Sequence, residues 1–183
     1  LLRRLIDLEG KNCTNAIVFC NRKTDVDICS KSLNKYGYQA APIHGDLDQI
    51  KRMETLESFR DGDLRILVAS DVAARGLDIP SVSHVFNFDV PIQAEDYVHR
   101  IGRTGRAGRD GKAIMICSKR DRKNFSNVEE LLQKEIPRTN FADEAISIDE
   151  MEYEDLKSKS GRNDKNSTKY KKNKPTNTKN YQT

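Results

Sequence analysis

The sequence predicts an α/β domain with a mainly parallel sheet covered by helices on both faces. Three observations carry that expectation. Five short apolar runs alternate along the chain with segments whose apolar residues recur at helical spacing. The runs are too short and too uniformly apolar for amphipathic helices, and they suit strands buried on both faces. Polar loops such as Asn21-Arg22-Lys23, His44-Gly45-Asp46 and Ser70–Asp78 follow the strands, at the rim where open α/β sheets bind ligands.

Taken in order, Leu1–Leu8 reads as an amphipathic helix end stopped at Gly10. Ala16–Cys20 is a buried strand, and Thr24–Tyr36 a helix through Val26, Cys29 and Leu33 that stops at Gly37. Ala40–Ile43 is a second strand. Asp46 or Asp48 can cap the next helix, Gln49–Phe59, which is expected to turn Ile50, Met53, Leu56 and Phe59 inward. Arg65–Ala69 is a third strand, and Ser70–Asp78 a loop with room for one helical turn before Pro80. Val82–Phe88 is a fourth strand, Ala94–Ile101 a helix, Lys112–Cys117 a fifth strand and Arg122–Lys134 a last helix ahead of Pro137. Tyr36 and Tyr38 are expected to pack, with stacking on the flat rings of a ligand as the other reading.

Charge divides the 183 residues into three parts. Residues 1–139 carry +3, residues 140–156 carry −7 with seven acids and no base, and residues 157–183 carry +8. The body is therefore only mildly basic, and its charge alone does not identify a nucleic-acid partner. We expect a folded domain over 1–138, an acidic linker over 139–156 and a disordered Lys/Asn-rich tail over 157–183. That tail would attract phosphate backbones or a protein partner. Cys13, Cys20, Cys29 and Cys117 form no C-x-x-C pair, which favours reduced thiols and a cytoplasmic setting. No apolar run approaches the roughly 18 residues of a membrane span, so no membrane role is expected. The chain opens at Leu1 inside a helical pattern, and we expect a piece of a longer protein.

His99–Gly108 is the most concentrated chemistry in the chain. Arg100, Arg103 and Arg106 recur every third residue, as do Gly102, Gly105 and Gly108. Arginine presents a planar fork that matches phosphate oxygens, and glycine lets the backbone turn sharply. On their own these ten residues read equally well as a phosphate-facing edge and as a solvated basic loop.

Longer stretches break the tie. Ile17-Val18-Phe19-Cys20-Asn21, then His44-Gly45-Asp46 with Gln49-x-x-Arg52, then Ser70-Asp71-Val72-Ala73-Ala74-Arg75-Gly76-Leu77-Asp78, and finally His99–Arg106 resemble motifs IV, IVa, V and VI of the DEAD-box RNA helicases. The resemblance covers about residues 1–138. It implies the second RecA-like domain of that family, a three-layer α/β sandwich. Asp71–Val90 and Ile136-Pro137-Arg138 look most like the bacterial RhlE type.

The resemblance also implies roles. Arg103 and Arg106 would be arginine fingers on the γ-phosphate of ATP, a contribution that reaches ~10³–10⁵ in rate where it is measured. Asp78 would touch the ribose or the fingers. Gly45, Gln49, Arg52, Ser70 and Gly76 would line the RNA phosphate track, with Ser70 standing where the family usually has Thr. Arg75, His99 and Arg100 would couple the nucleotide and RNA sides across the domain interface. Asp71 mimics a metal-binding acid at a strand end, but motif V already accounts for it as a loop-structuring residue. His44 is read as a turn residue.

The ATP-holding parts are missing from the sequence. There is no G-x-x-x-x-G-K-[ST] loop and no Asp-Glu-Ala-Asp tetrad. ATP and its Mg²⁺ would be held by an N-terminal RecA-like domain, the implied partner alongside RNA. Two other readings fit the residues: an RNA- or protein-binding module without an ATPase partner, and the second domain of another superfamily 2 helicase.

Overall fold

The structure, a computed structural model, describes residues 1–105 and 110–139. They fall in one compact unit of the chain. The expected acidic linker and basic tail, apart from the start of the linker, lie outside the described residues, as do Arg106 and Gly108.

Five parallel strands form one sheet. They are β1 (Ala16–Cys20), β2 (Ala40–Ile43), β3 (Ile66–Ser70), β4 (His84–Asn87) and β5 (Lys112–Met115), in the order β2-β3-β1-β4-β5. Six helices connect or flank them: α1 (Leu2–Glu9), α2 (Lys23–Lys35), α3 (Gln49–Asp61), the single turn α4 (Asp71–Ala74), α5 (Ala94–Ile101) and α6 (Arg122–Leu132). This is the parallel-sheet α/β architecture that the alternation of elements predicts, and the RecA-like fold that the family resemblance implies. The central strands β1 and β3 are buried at every position because side chains leave them alternately to two cores. Val18, Val68 and Phe86 meet Leu5 and Ile6 of α1 and Val26 and Leu33 of α2 on one face. Ile17, Leu67 and Val85 meet Leu56 and Phe59 of α3 on the other.

Helix α3 departs from expectation. Leu56 and Phe59 are buried at 2% and 3% exposure, but Met53 is 41% exposed and Ile50 is 71% exposed. Each step of three residues falls short of a full turn by about 60°. Four apolar residues at that spacing therefore spiral round the helix, and Ile50 emerges opposite Phe59. The helix is nonetheless well ended: the Asp48 carboxylate accepts from the Lys51 amide at 2.8 Å, and Gly62 adopts a left-handed conformation at φ 86°.

Several other ends are shorter than the pattern suggests, three of them by two residues. β4 begins at His84 because Val82 is bridged to Thr104. β5 stops at Met115, and α6 ends at Leu132, where Gln133 turns left-handed. Tyr38 packs against the core and its hydroxyl donates to Asp7, whereas Tyr36 is 41% exposed under the Arg3 guanidinium.

The amino-terminal ends of the strands carry a separate polar cluster. Glu9, at the end of α1, accepts from Lys112 of β5 and lies 3.2 Å from Nε2 of the buried His84. Burial works to raise the Glu9 pKa, but the hydrogen bonds from Lys112 and His84 outweigh it and hold the carboxyl below its ordinary value.

Candidate functional site

The site is assembled on the opposite rim, where every strand ends. Register places Cys20 beside Ser70, Ile43 beside Ala69, and Asn87 beside both Phe19 and Met115. The loops that leave β1, β2, β3 and β4 therefore start level with one another, and motif residues far apart in sequence become neighbours.

Arg100 binds that rim together. It is 1% exposed, and all five of its N–H donors are used. Nε and Nη2 donate to the two carboxylate oxygens of Asp71, each at 2.7 Å. Nη2 also donates to Asn21 Oδ1 at 2.7 Å, while Nη1 reaches the Asp89 carbonyl at 2.8 Å and Asn87 Oδ1 at 3.2 Å. The Phe19 ring lies beneath it, 5.3 Å away. A bidentate, fully satisfied arginine is one of the few ways to bury this charge without a large penalty. Asn21 closes the knot by donating its amide N–H to Asp89 Oδ2 and its side-chain NH₂ to the Val90 carbonyl, each at 2.9 Å. Burial raises the Asp89 pKa, and the bond from Asn21 partly offsets it. Arg100 is thus an interior strut that ties the loops after β1, β3 and β4 to α5, with no surface of its own to offer another domain. Asp71 is the loop-structuring acid expected.

Arg75 and His99 are on the outside. The Arg75 side chain is 57% exposed and donates through Nη2 to Asp96 Oδ1. His99 is 66% exposed, with Nδ1 at 3.9 Å from the same oxygen. Asp96 is therefore a functional candidate that motif reading passed over. Its signal in the sequence is an acid in the first turn of α5, four residues before an arginine.

Arg103 leaves the end of α5 and lies along motif V. Its Nη1 donates to the Leu77 carbonyl at 3.4 Å and its Nη2 to the Ala74 carbonyl at 3.3 Å. These are long contacts, which a phosphate oxygen would outcompete. The turn that carries Arg103 is fixed on both sides. Val82 donates its amide to the Arg103 carbonyl at 3.0 Å, and Thr104 Oγ1 donates to the Val82 carbonyl at 2.6 Å. Gly105 is left-handed at φ 66°. Gly111 packs so closely that an added Cβ would lie 2.0 Å from Thr104 Oγ1 and 2.3 Å from the Gly105 nitrogen. Asp78 presents a 97% exposed carboxylate that accepts from Arg60 at 3.0 Å. An exposed carboxylate beside a phosphate-matching arginine suits the hydroxyls and phosphates of a nucleotide.

The RNA-track candidates fall into two groups on neighbouring strands. Gly45 is exposed after β2, and Gln49 and Arg52 stand in the first turn of α3, where Arg52 Nη1 donates to Gln49 Oε1 at 3.3 Å. Arg52 Nε is buried without a partner among the described residues. Ser70 ends β3 at 9% exposure, and Gly76 turns the motif V loop at φ 75°. His44 opens the turn expected of it, its carbonyl accepting from the Leu47 amide at 3.2 Å, and its ring is 4% exposed with Nε2 3.1 Å from Asp27 of α2. Among the described residues no cluster of His, Cys, Asp and Glu could hold a metal ion, and no helix is long and apolar enough to cross a membrane.

Comparison with known proteins agrees with this geometry. Residues 1–108 match the helicase conserved C-terminal domain. The chain is 47% identical over 148 residues to the DEAD-box ATP-dependent RNA helicase CshA of Bacillus cereus, covering 80% of this chain and 28% of that protein. It thus spans less than a third of the length of such relatives. Its fold is similar to that of the Escherichia coli DEAD-box protein SrmB, solved bound to regulator of ribonuclease activity A. The TM-score is 0.71 at 37% identity, over 77% of this chain and 84% of that one. The C-terminal domain of the DEAD-box protein Dbp5 matches with a TM-score of 0.63 at 33% identity, over 71% of this chain and 77% of that one.

Proposed function

Because the chain belongs to the helicase conserved C-terminal domain family, and within it to the DEAD-box RNA helicases, we propose that it is the second half of a composite ATPase site. The observation that carries this reading is Arg103, held along motif V by a turn that Arg100 and Thr104 anchor. In the whole protein, Arg103 and Arg106 would offset the charge that develops on the γ-phosphate during hydrolysis. Asp78 would take the ribose or the fingers. Gly45, Gln49, Arg52, Ser70 and Gly76 would follow the sugar-phosphate backbone, which gives affinity with little sequence preference. Arg75 and His99 would meet the facing domain directly, and Arg100 would act through the three loops it ties.

The implied partners are RNA and an N-terminal RecA-like domain that supplies the ATP cradle and the Mg²⁺ ligands. The basic tail would add attraction to RNA or hold a protein. Within the family we favour the bacterial RhlE type, on Asp71–Val90 and on Ile136-Pro137-Arg138, a segment whose Ile136 amide and Arg138 guanidinium both bond to Glu129 of α6. Three buried free thiols, Cys13, Cys20 and Cys29, suit a cytoplasmic protein.

The test is RNA-stimulated ATP turnover by the full-length protein. Arg103→Ala and Arg106→Ala should each lower turnover by ~10³-fold or more while leaving the circular dichroism spectrum unchanged. Near-normal turnover in both variants would refute the finger assignment.

A further inference from the structure

Motif V and the helix that leads into motif VI contain the same pattern. Asp71-Val72-Ala73-Ala74-Arg75 and Asp96-Tyr97-Val98-His99-Arg100 both read Asp-x-x-x-Arg. Acid and arginine at this spacing can meet within one helix. Here the bonds run between the segments instead: Asp71 takes Arg100, and Arg75 takes Asp96. The start of α4 is tied to the end of α5, and the end of α4 to the start of α5. The two segments form a crossed, antiparallel clasp.

The halves of the clasp differ in a way that assigns them different work. In the Asp71–Arg100 half the arginine side chain is 1% exposed, and all its donors are occupied. That half is fixed. In the Arg75–Asp96 half the acid is nearly buried, at 11%, and the arginine is 57% exposed. One oxygen of Asp96 accepts from Arg75 and lies 3.9 Å from His99 Nδ1. The carboxylate therefore holds Arg75 by a hydrogen bond and lies next to His99, so that it neighbours two exposed side chains, one from each motif.

Resting on the helicase reading above, we propose that Asp96 is a positioning residue for RNA-dependent ATP turnover. It touches neither nucleotide nor RNA. It presents Arg75 and His99 as a pre-oriented pair to the facing domain, so that less side-chain freedom is lost when the domains close. The fixed half of the clasp keeps α4 and α5 in register while the outer half is engaged.

The experiment is a double-mutant cycle in the full-length protein, with ATP turnover followed against RNA concentration and melting temperature measured in parallel. In Asp96→Asn the RNA concentration for half-maximal stimulation should rise roughly tenfold, the size of one charge-assisted contact. Arg75→Ala should give a similar rise, and the double variant should add little to either. Asp96→Glu, which keeps the charge, should recover part of the effect without a matching change in melting temperature. An unchanged RNA dependence in both Asp96 variants overturns the proposal, and so do effects of Asp96→Asn and Arg75→Ala that multiply. A wild-type protein whose turnover ignores RNA overturns the helicase reading itself, and is distinguished by failing before any variant is compared.

Discussion

At the scale of single residues, the site depends on contacts too close to admit another atom. Gly111 is the sharpest case. Any side chain there must displace the Gly105 backbone or Thr104, whose hydroxyl bonds the Val82 carbonyl. Overpacking against backbone costs about 1–3 kcal/mol. Gly111→Ala should lower the unfolding free energy by about that amount, read as a lower denaturant midpoint at constant slope. A midpoint within error of wild type would show that the turn yields freely. Gly111 carried no signal beyond its type, because close approach to Thr104 depends on a register between segments that only the folded sheet sets. Arg100 was legible as a functional arginine but not as a buried one. The three arginines of the motif are alike in sequence spacing, and only the position of Asp71, Asn21 and Asn87 around Arg100 decides that this one turns inward. Asp96 went unread for the complementary reason: an acid in a first helical turn is ordinary, and its meaning comes from Arg75.

At the scale of elements, the strands were the easiest to read. Runs such as Ala16–Cys20 are apolar throughout because both faces of a central parallel strand are covered, and the observed limits of β1 and β2 match the runs to the residue. Strand ends were harder wherever a neighbour competes, as Thr104 does for Val82. Helix α3 shows that apolar spacing alone can mislead when it drifts around the axis. The α1–β5 connection was invisible in sequence, since Glu9 and Lys112 are 103 positions apart. It has a measurable consequence. The folded state holds the Glu9 carboxyl below its ordinary value, so the folded chain binds the proton less readily than the unfolded one. The stabilisation is present above the ordinary glutamate range and is lost as pH falls through the lowered value. Chemical unfolding followed from neutral pH into acid should show this loss in wild type and a flatter dependence in Glu9→Gln. Parallel curves for the two proteins would exclude Glu9 as a source of acid lability.

At the scale of the whole molecule, the sheet separates two kinds of work. One rim ties α1 to β4 and β5, and the other gathers the motif loops. On the function proposed above, the second rim is half of a site, and the sequence carries no phosphate-binding glycine loop and no acid tetrad for Mg²⁺. The isolated 183-residue chain should therefore fold cooperatively yet hydrolyse no ATP, with or without single-stranded RNA. RNA-stimulated phosphate release by the isolated chain, above a heat-inactivated control, is the result that would sink this expectation. The crossed clasp also bears on the order in which such a chain becomes ordered. Its two pairs span 29 and 21 positions, and both loops enclose β4. Closing loops of that length costs little more than closing shorter ones, but neither can close with β4 undocked from β1. During synthesis Arg75 would thus exist before Asp96, the acid that holds it, whereas every partner of Arg100 precedes it. A half-made chain that stops short of α5 would carry Arg75 without its half of the clasp, and would gain that half only once α5 is made.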